Sequence, residues 1–262
     1  MDPALRTSAT GMIAQQLRVE VIAHNLANVN TPAFKRSRAH FEDLLYQTVQ
    51  GGGTVGQPGA ESLPAIQIGR GPRLSAVQRV DGQGPLEPTG RPLDVAIDGA
   101  GFFQVRRPDG TVAYTRDGSF TLSDQGILVT SGGYALLPEI RIPPEAKEIM
   151  ISRNGVVSVL TPESPQPLEL GRIELARFIN PPGLVALGEN LYGETAASGP
   201  PILGLPQEDG FGSLLQGNLE ASNVEIVQEM VDMIAALRAY ELNAKAVQVS
   251  ERMSELTNGM IR

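Results

Sequence analysis

The chain has 262 residues, 41% of them hydrophobic, and its 29 glycines and 20 prolines imply a sizeable core interrupted by many turns. A formal charge of -8 argues against a nucleic-acid binder, whose affinity rests on Lys and Arg neutralising phosphates. The absence of cysteine excludes a disulfide framework and thiolate metal sites.

No run approaches the roughly 18 consecutive apolar residues of a membrane span, so no membrane insertion is expected. Met1-Asp2-Pro3-Ala4 lacks the basic and apolar regions of a cleavable signal, which makes the cytoplasm the default compartment on these grounds.

Asp2-Pro3 reads as a helix start, with Asp at the N-cap and Pro at the first helical position, where its missing N–H costs nothing. Leu5, Ala9, Met12, Gln16, Val19, Ala23 and Leu26 then alternate in steps of four and three, the spacing of a narrow helix–helix seam. Ile13, Leu17 and Ile22 widen the stripe, which implies more than one neighbour. Thr31-Pro32 ends the helix, because the residue before proline is pushed out of the α region. Phe41-Glu42-Asp43-Leu44-Leu45-Tyr46 fits helix or extended chain, and Gly51 to Pro64 reads as a long loop.

The middle follows other rules: all but two of the 29 glycines lie between Gly51 and Gly217. Gly101–Val105 and Val112–Thr115 flank Pro108-Asp109-Gly110, a hairpin signal. Ile127–Thr130 and Tyr134–Leu137 flank Ser131-Gly132-Gly133, and Ile149–Ile151 and Val156–Val159 flank Asn154-Gly155. Ile173 to Phe178 alternates apolar and polar until Asn180-Pro181-Pro182-Gly183 breaks it. Short strands at this density predict an antiparallel sandwich or barrel-like unit. Gly188 to Gly217 reads as loop-rich, with Gly199-Pro200-Pro201 and Gly210-Phe211-Gly212 as breakers.

From Ser222 to Asn258 there is neither proline nor glycine, and Ile226, Met230, Met233, Leu237, Tyr240, Ala244 and Val247 repeat the four-three alternation. Ser222 and Glu225 form a capping box and Asn258-Gly259 a stop. The expected fold class is α+β, with long N- and C-terminal helices pairing as a coiled coil around a β-rich middle. The expected division is a helix in 1–34, an extended loop in 35–75, a β-rich unit in 76–217 and a helix in 218–262. The surplus apolar width favours self-assembly over a private hairpin.

Catalytic patterns are weak. His24 and His40 stand in no ligand spacing, and surface or satisfied roles suit both. Asp94 and Asp98 on one strand face would be roughly 13 Å apart, beyond a glycosidase carboxylate pair. Gly99-Ala100-Gly101 precedes a strand rather than a helix, so it marks a bend or bulge and not a dinucleotide site. No catalytic, metal or cofactor residue is expected. Asn25, Asn28 and Asn30 near the end of the first helix either cap it or, for Asn25 and Asn28, bond to a neighbouring chain.

Ala23-His24-Asn25-Leu26-Ala27-Asn28-Val29-Asn30-Thr31-Pro32-Ala33-Phe34-Lys35 resembles the A-N-N-L-A-N-x-x-T-x-G-F-K signature of the bacterial flagellar axial proteins, the rod and hook group. His24 replaces the usual second Asn and Ala33 the usual Gly. The likeness continues through Phe41–Tyr46, Gly99–Phe103, Tyr114-Thr115-Arg116-Asp117-Gly118-Ser119-Phe120, Gly188–Tyr192, Leu215–Val224 and Arg238–Val247, nearly the whole chain.

Within the family, the length and the Phe41–Tyr46 stretch point to distal-rod members; a proximal rod or short hook protein is the alternative. From other classes stand a peptidoglycan-acting enzyme and a binding module that docks through its helical hairpin.

The resemblance implies a non-enzymatic subunit of a helical homopolymer in the basal body, a tubular drive shaft that transmits torque and encloses the export channel. Its implied partners are copies of itself, proximal rod and hook-side axial proteins, the surrounding ring proteins and the type III flagellar export apparatus. The implied location is the periplasmic rod, reached without a cleaved signal. The residues expected to carry assembly are Leu5, Met12, Ile13, Leu17, Ile22, Asn25, Leu26, Asn28, Phe41, Leu44, Leu45, Tyr46, Ile226, Met230, Met233, Leu237, Tyr240 and Val247.

Overall fold

Two long helices and a set of short, entirely antiparallel strand pairs make up the described residues, 3–50, 66–162 and 164–260 of a computed structural model. The chain divides into two compact units. The expected Gly51 to Pro64 loop lies outside the described residues.

The helical unit contains Met1–Ala27, Ser37–Arg79 and Glu225–Arg262. Helix α1 spans Pro3–Ala27 and helix α2 spans Ile226–Met260. At ~1.5 Å per residue they run to roughly 37 and 52 Å, so α2 outreaches its partner. They are antiparallel: Asn25 meets Glu229 near one end, Arg18 meets Asp232 next, and Gly11 lies against Asn243. A Cβ at Gly11 would stand 3.0 Å from the Asn243 side chain, so glycine there lets the helices approach closely.

The sequence places the start of α2 at Ser222, but the helix begins at Ile226. The Ser222 hydroxyl accepts from the Val224 N–H at 3.3 Å in a turn, and the Glu225 carbonyl accepts the first helical bond, from Glu229. The helix also continues through Asn258-Gly259 to Met260. The extended loop expected in 35–75, with an undecided Phe41 to Tyr46, instead gives way to two strand pairs that reach to Arg79. Ser37–Asp43 pairs with Pro72–Arg79 through an irregularity between His40 and Phe41, and Gln47–Gln50 pairs with Ile66–Ile68.

The β-rich unit contains Asn28–Arg36 and Val80–Val224. The three expected hairpins are present: Phe102–Arg106 with Val112–Thr115, Leu128–Thr130 with Ala135–Leu137, and Glu148–Ile151 with Val156–Thr161. Their turns place Gly110, Gly133 and Gly155 at positive φ, which only glycine adopts freely. The loop-rich stretch between Gly188 and Gly217 holds the short strands Leu191–Gly193, Ile202–Gly204 and Ser213–Gln216, which its composition did not single out. Leu191–Gly193 forms a local hairpin with Val185–Gly188 and pairs also with Tyr114 and Thr115, while Ile202–Gly204 and Ser213–Gln216 are fixed by the distant Leu175–Arg177 and Val95–Asp98.

The largest sheet has nine strands, beside a three-stranded sheet and smaller pairs. Phe103 and Phe102, adjacent on one strand, point to opposite faces of this sheet. Phe103 enters the main core with Val95, Phe120, Leu128, Val157 and Leu214. Phe102 enters an aromatic cluster with Tyr114, Phe178 and Tyr192, whose rings meet edge to face.

Candidate assembly interface

On α2 the apolar stripe read from the sequence is not the face that packs on α1. The covered positions are Glu229, Asp232, Met233, Ala236, Ala239, Asn243, Ala244, Val247 and Ser250, a seam of mostly polar and small residues. Ile226, Met230, Leu237 and Tyr240 are 40 to 53% exposed, and Val227, Val231, Ile234, Leu242 and Val249 extend the open apolar surface. The expected stripe therefore divides: Met233, Ala244 and Val247 belong to the internal seam, but the larger Ile226, Met230, Leu237 and Tyr240 face outward. Close approach at Gly11 and the polar pairs at Asn25 and Arg18 set this rotation, because a Glu229–Asn25 contact between helices needs that face turned inward.

On α1, Ile22 is buried, Leu5, Met12, Leu17 and Leu26 are half-buried, and Ile13 is exposed. Asn25 is buried and satisfied within its own chain. Its Nδ2 donates to the Ser37 carbonyl at 2.9 Å and to Glu229 at 3.2 Å, and its Oδ1 accepts from the Ser37 N–H at 2.8 Å. It is a connector within the helical unit, with its amide bonded to Ser37 and Glu229. Asn28 Oδ1 accepts from the Thr31 hydroxyl at 3.2 Å and its carbonyl from the Thr31 N–H, the capping reading of the asparagine cluster.

Phe41 and Leu44 are half-buried, while Leu45 at 87% and Tyr46 are open. Leu44 and Leu45 line a cleft with Arg6, Arg70 and Arg73.

In the β-rich unit the motif residues converge on one buried carboxylate, which the sequence reading did not single out. Glu220 is fully buried and pairs with Lys35. Its Oε2 accepts from Arg116 Nε at 2.8 Å and its Oε1 from the Gly84 N–H at 2.9 Å. Arg116 spends its remaining donors on the carbonyls of Gly99 and Gly101, at 2.8 Å each, and Ile97 at 3.3 Å. Lys35 also donates to the Gly82 carbonyl at 2.8 Å.

Burial alone would raise the Glu220 pKa, but the charges of Arg116 and Lys35, with hydrogen bonds from Lys35 and Gly84, hold it below the ordinary 4.5. Burial pushes the Lys35 ammonium below its ordinary 10.5, which Glu220 offsets only in part. Gly84 must be glycine, since a Cβ there would lie 2.1 Å from the Ala221 carbonyl oxygen.

Asn223 completes the arrangement. Its Oδ1 accepts from the Arg36 N–H at 2.7 Å, and its Nδ2 donates to the Val80 and Gly82 carbonyls at 2.9 Å. Ala33, standing where the resembled signature has Gly, is buried at φ 57, in the left-handed region that favours glycine.

Among the described residues no cluster of His, Asp and Glu is arranged to hold a metal, and no helix is long and apolar enough to cross a membrane. Asp94 is buried beside Arg91 whereas Asp98 is exposed, so the two do not form a shared carboxylate site.

Residues 5–35 match the family described as flagella basal body rod protein, residues 96–159 the flagellar hook protein FlgE/F/G D1 domain, and residues 215–260 the flagellar basal body rod FlgEFG protein C-terminal family. The chain is 51% identical over 264 residues to the flagellar basal-body rod protein FlgG of Borreliella burgdorferi, with all of both chains covered. Against Caulobacter vibrioides it is 48% identical to FlgG, covering 97% of this chain and 98% of that one, but 33% identical to FlgF, covering 97% and 96%. With full-length identity of this order, the chain belongs to the family of flagellar basal-body rod proteins.

Proposed function

We propose that the chain is a structural subunit of the flagellar basal-body rod, in its distal part, that polymerises with copies of itself into a helical tube. The observation that carries this reading is the open apolar face of α2 in a chain whose full-length relatives are rod proteins. The higher identity to FlgG than to FlgF of one organism favours the FlgG role, the distal rod, over the alternatives within the family.

In this reading neighbouring copies cover Ile226, Met230, Leu237 and Tyr240 and the exposed Ile13, as a coiled-coil layer around the export channel. Leu45 and Tyr46 pack against a further copy, and the β-rich unit forms the outer layer. The tube transmits torque by packing and performs no chemistry. It joins proximal rod and hook-side axial proteins, passes through the surrounding rings, and lies in the periplasm after delivery by the flagellar export apparatus.

Electron microscopy of the purified full chain tests this: filaments are expected from it and not from a chain ending at Val224, the last residue of the β-rich unit. Filaments formed by the shortened chain would refute the role given to α2.

A further inference from the structure

The chain passes between its two units at 27/28, 36/37, 79/80 and 224/225. Inside the β-rich unit, three of these crossing points are tied by one side chain. Asn223, beside the crossing at 224/225, accepts from the Arg36 N–H and donates to the Val80 carbonyl, while its own N–H donates to the Phe34 carbonyl at 3.3 Å. The Val80 N–H donates to the Arg36 carbonyl at 2.9 Å, so the two outgoing segments are also bonded to each other.

One turn away, the Glu220 carbonyl accepts from the Ala33 N–H at 2.7 Å, and its buried carboxylate holds Lys35 and Arg116. A buried carboxylate with two cations and a backbone N–H is costly to assemble unless every member is present, so such a network is formed whole or not at all.

We propose that Asn223 and Glu220, with Lys35 and Arg116, form a positioning clamp that holds the chain's exits from the β-rich unit as one body. The clamp opens separately from the sheet core, because the side chains of Phe103, Phe120 and Val157 take no part in it and its one bond to a core residue is from Arg116 to the Ile97 backbone carbonyl. It acts on assembly through the chain segments that cross out of the β-rich unit, and none of its four side chains has to touch a neighbouring copy. For that consequence alone the proposal rests on the rod reading.

The test compares hydrogen exchange and polymer sedimentation of the full chain with those of Asn223→Ala and Glu220→Ala. In Asn223→Ala the amides of Arg36 and Val80 exchange about tenfold faster or more, while those of Phe102–Arg106 and Val156–Thr161 change by less than about twofold. In Glu220→Ala the Gly84 amide follows. The critical concentration for assembly rises in Asn223→Ala although α2 is intact.

Unchanged exchange at Arg36, or equal acceleration in the sheet, overturns the clamp; Asn223→Ala keeps this decisive should Glu220→Ala fail to fold. Local exchange with unaltered assembly overturns the positioning role. Failure of the unsubstituted chain to polymerise would instead defeat the rod reading, and the exchange pattern would still decide the clamp.

Discussion

Replacing Met230 and Leu237 together by Ala separates the outward face of α2 from its private one. In the subunit these side chains are 53% and 46% exposed, so assembly has about half of each left to cover. Full burial of such a side chain contributes about 1.5–3 kcal/mol, which leaves roughly 1 kcal/mol each and roughly 2 kcal/mol for the pair. At about 1.4 kcal/mol per tenfold, the critical concentration for polymerisation rises about 30-fold.

The folded subunit hardly notices, because neither residue packs on α1 and Ala is the better helix former. Sedimentation of polymer over a concentration series reads the first effect and thermal unfolding of the dilute subunit reads the second. Ala236→Leu, at the fully buried internal seam, has the opposite signature of a lowered unfolding temperature. A critical concentration within about twofold of the parent for Met230→Ala/Leu237→Ala, or a large fall in its subunit stability, would refute the assignment of faces.

Two further outcomes follow from the network and its surroundings. Ala33→Gly relieves the left-handed backbone at φ 57 and raises stability by about 1 kcal/mol in denaturant unfolding; a loss of stability would show that the buried methyl group matters more than the strain. Glu220→Gln leaves Lys35 and Arg116 without their counter-charge and costs about 3 kcal/mol near neutral pH. Since the folded-state pKa of Glu220 is depressed, its contribution is present above the ordinary 4.5 and is lost as pH falls from there through the folded value. The gap in unfolding temperature between parent and Glu220→Gln therefore closes in acid, and a gap constant from neutral pH to about pH 3 would contradict the assignment.

What could be read from the sequence was local. Asn154-Gly155 and Pro108-Asp109-Gly110 announce their hairpins because turn geometry depends on the residues in the turn. Both long helices are equally plain from their periodicity. The strands Ile202–Gly204 and Ser213–Gln216 were hidden because pairing with the distant Leu175–Arg177 and Val95–Asp98, not their own composition, makes them strands.

The same holds at the clamp. Lys35, Arg116 and Glu220 each sit in a motif that marks the family, yet their meeting spans separations of 185 and 104 residues. No spacing rule predicts it. The available signal was a charged residue inside each of three stretches that share one resemblance.

Periodicity reports that a helix has an apolar stripe, but not which neighbour will cover it. In this chain the register of the private contact between α1 and α2 is marked by Asn25 with Glu229, Arg18 with Asp232, and Gly11 against Asn243, beside the covered Met233, Ala236 and Val247. Polar and close-packed contacts of this kind fix register and direction while contributing little net stability. The hydrophobic residues that would stabilise a closed hairpin, Met230, Leu237 and Tyr240, are held away from it. A helix pair meant to finish within one subunit would spend them internally; one that specifies its own geometry with polar groups and leaves its apolar surface open has its main driving force still to be realised, on contact with other copies.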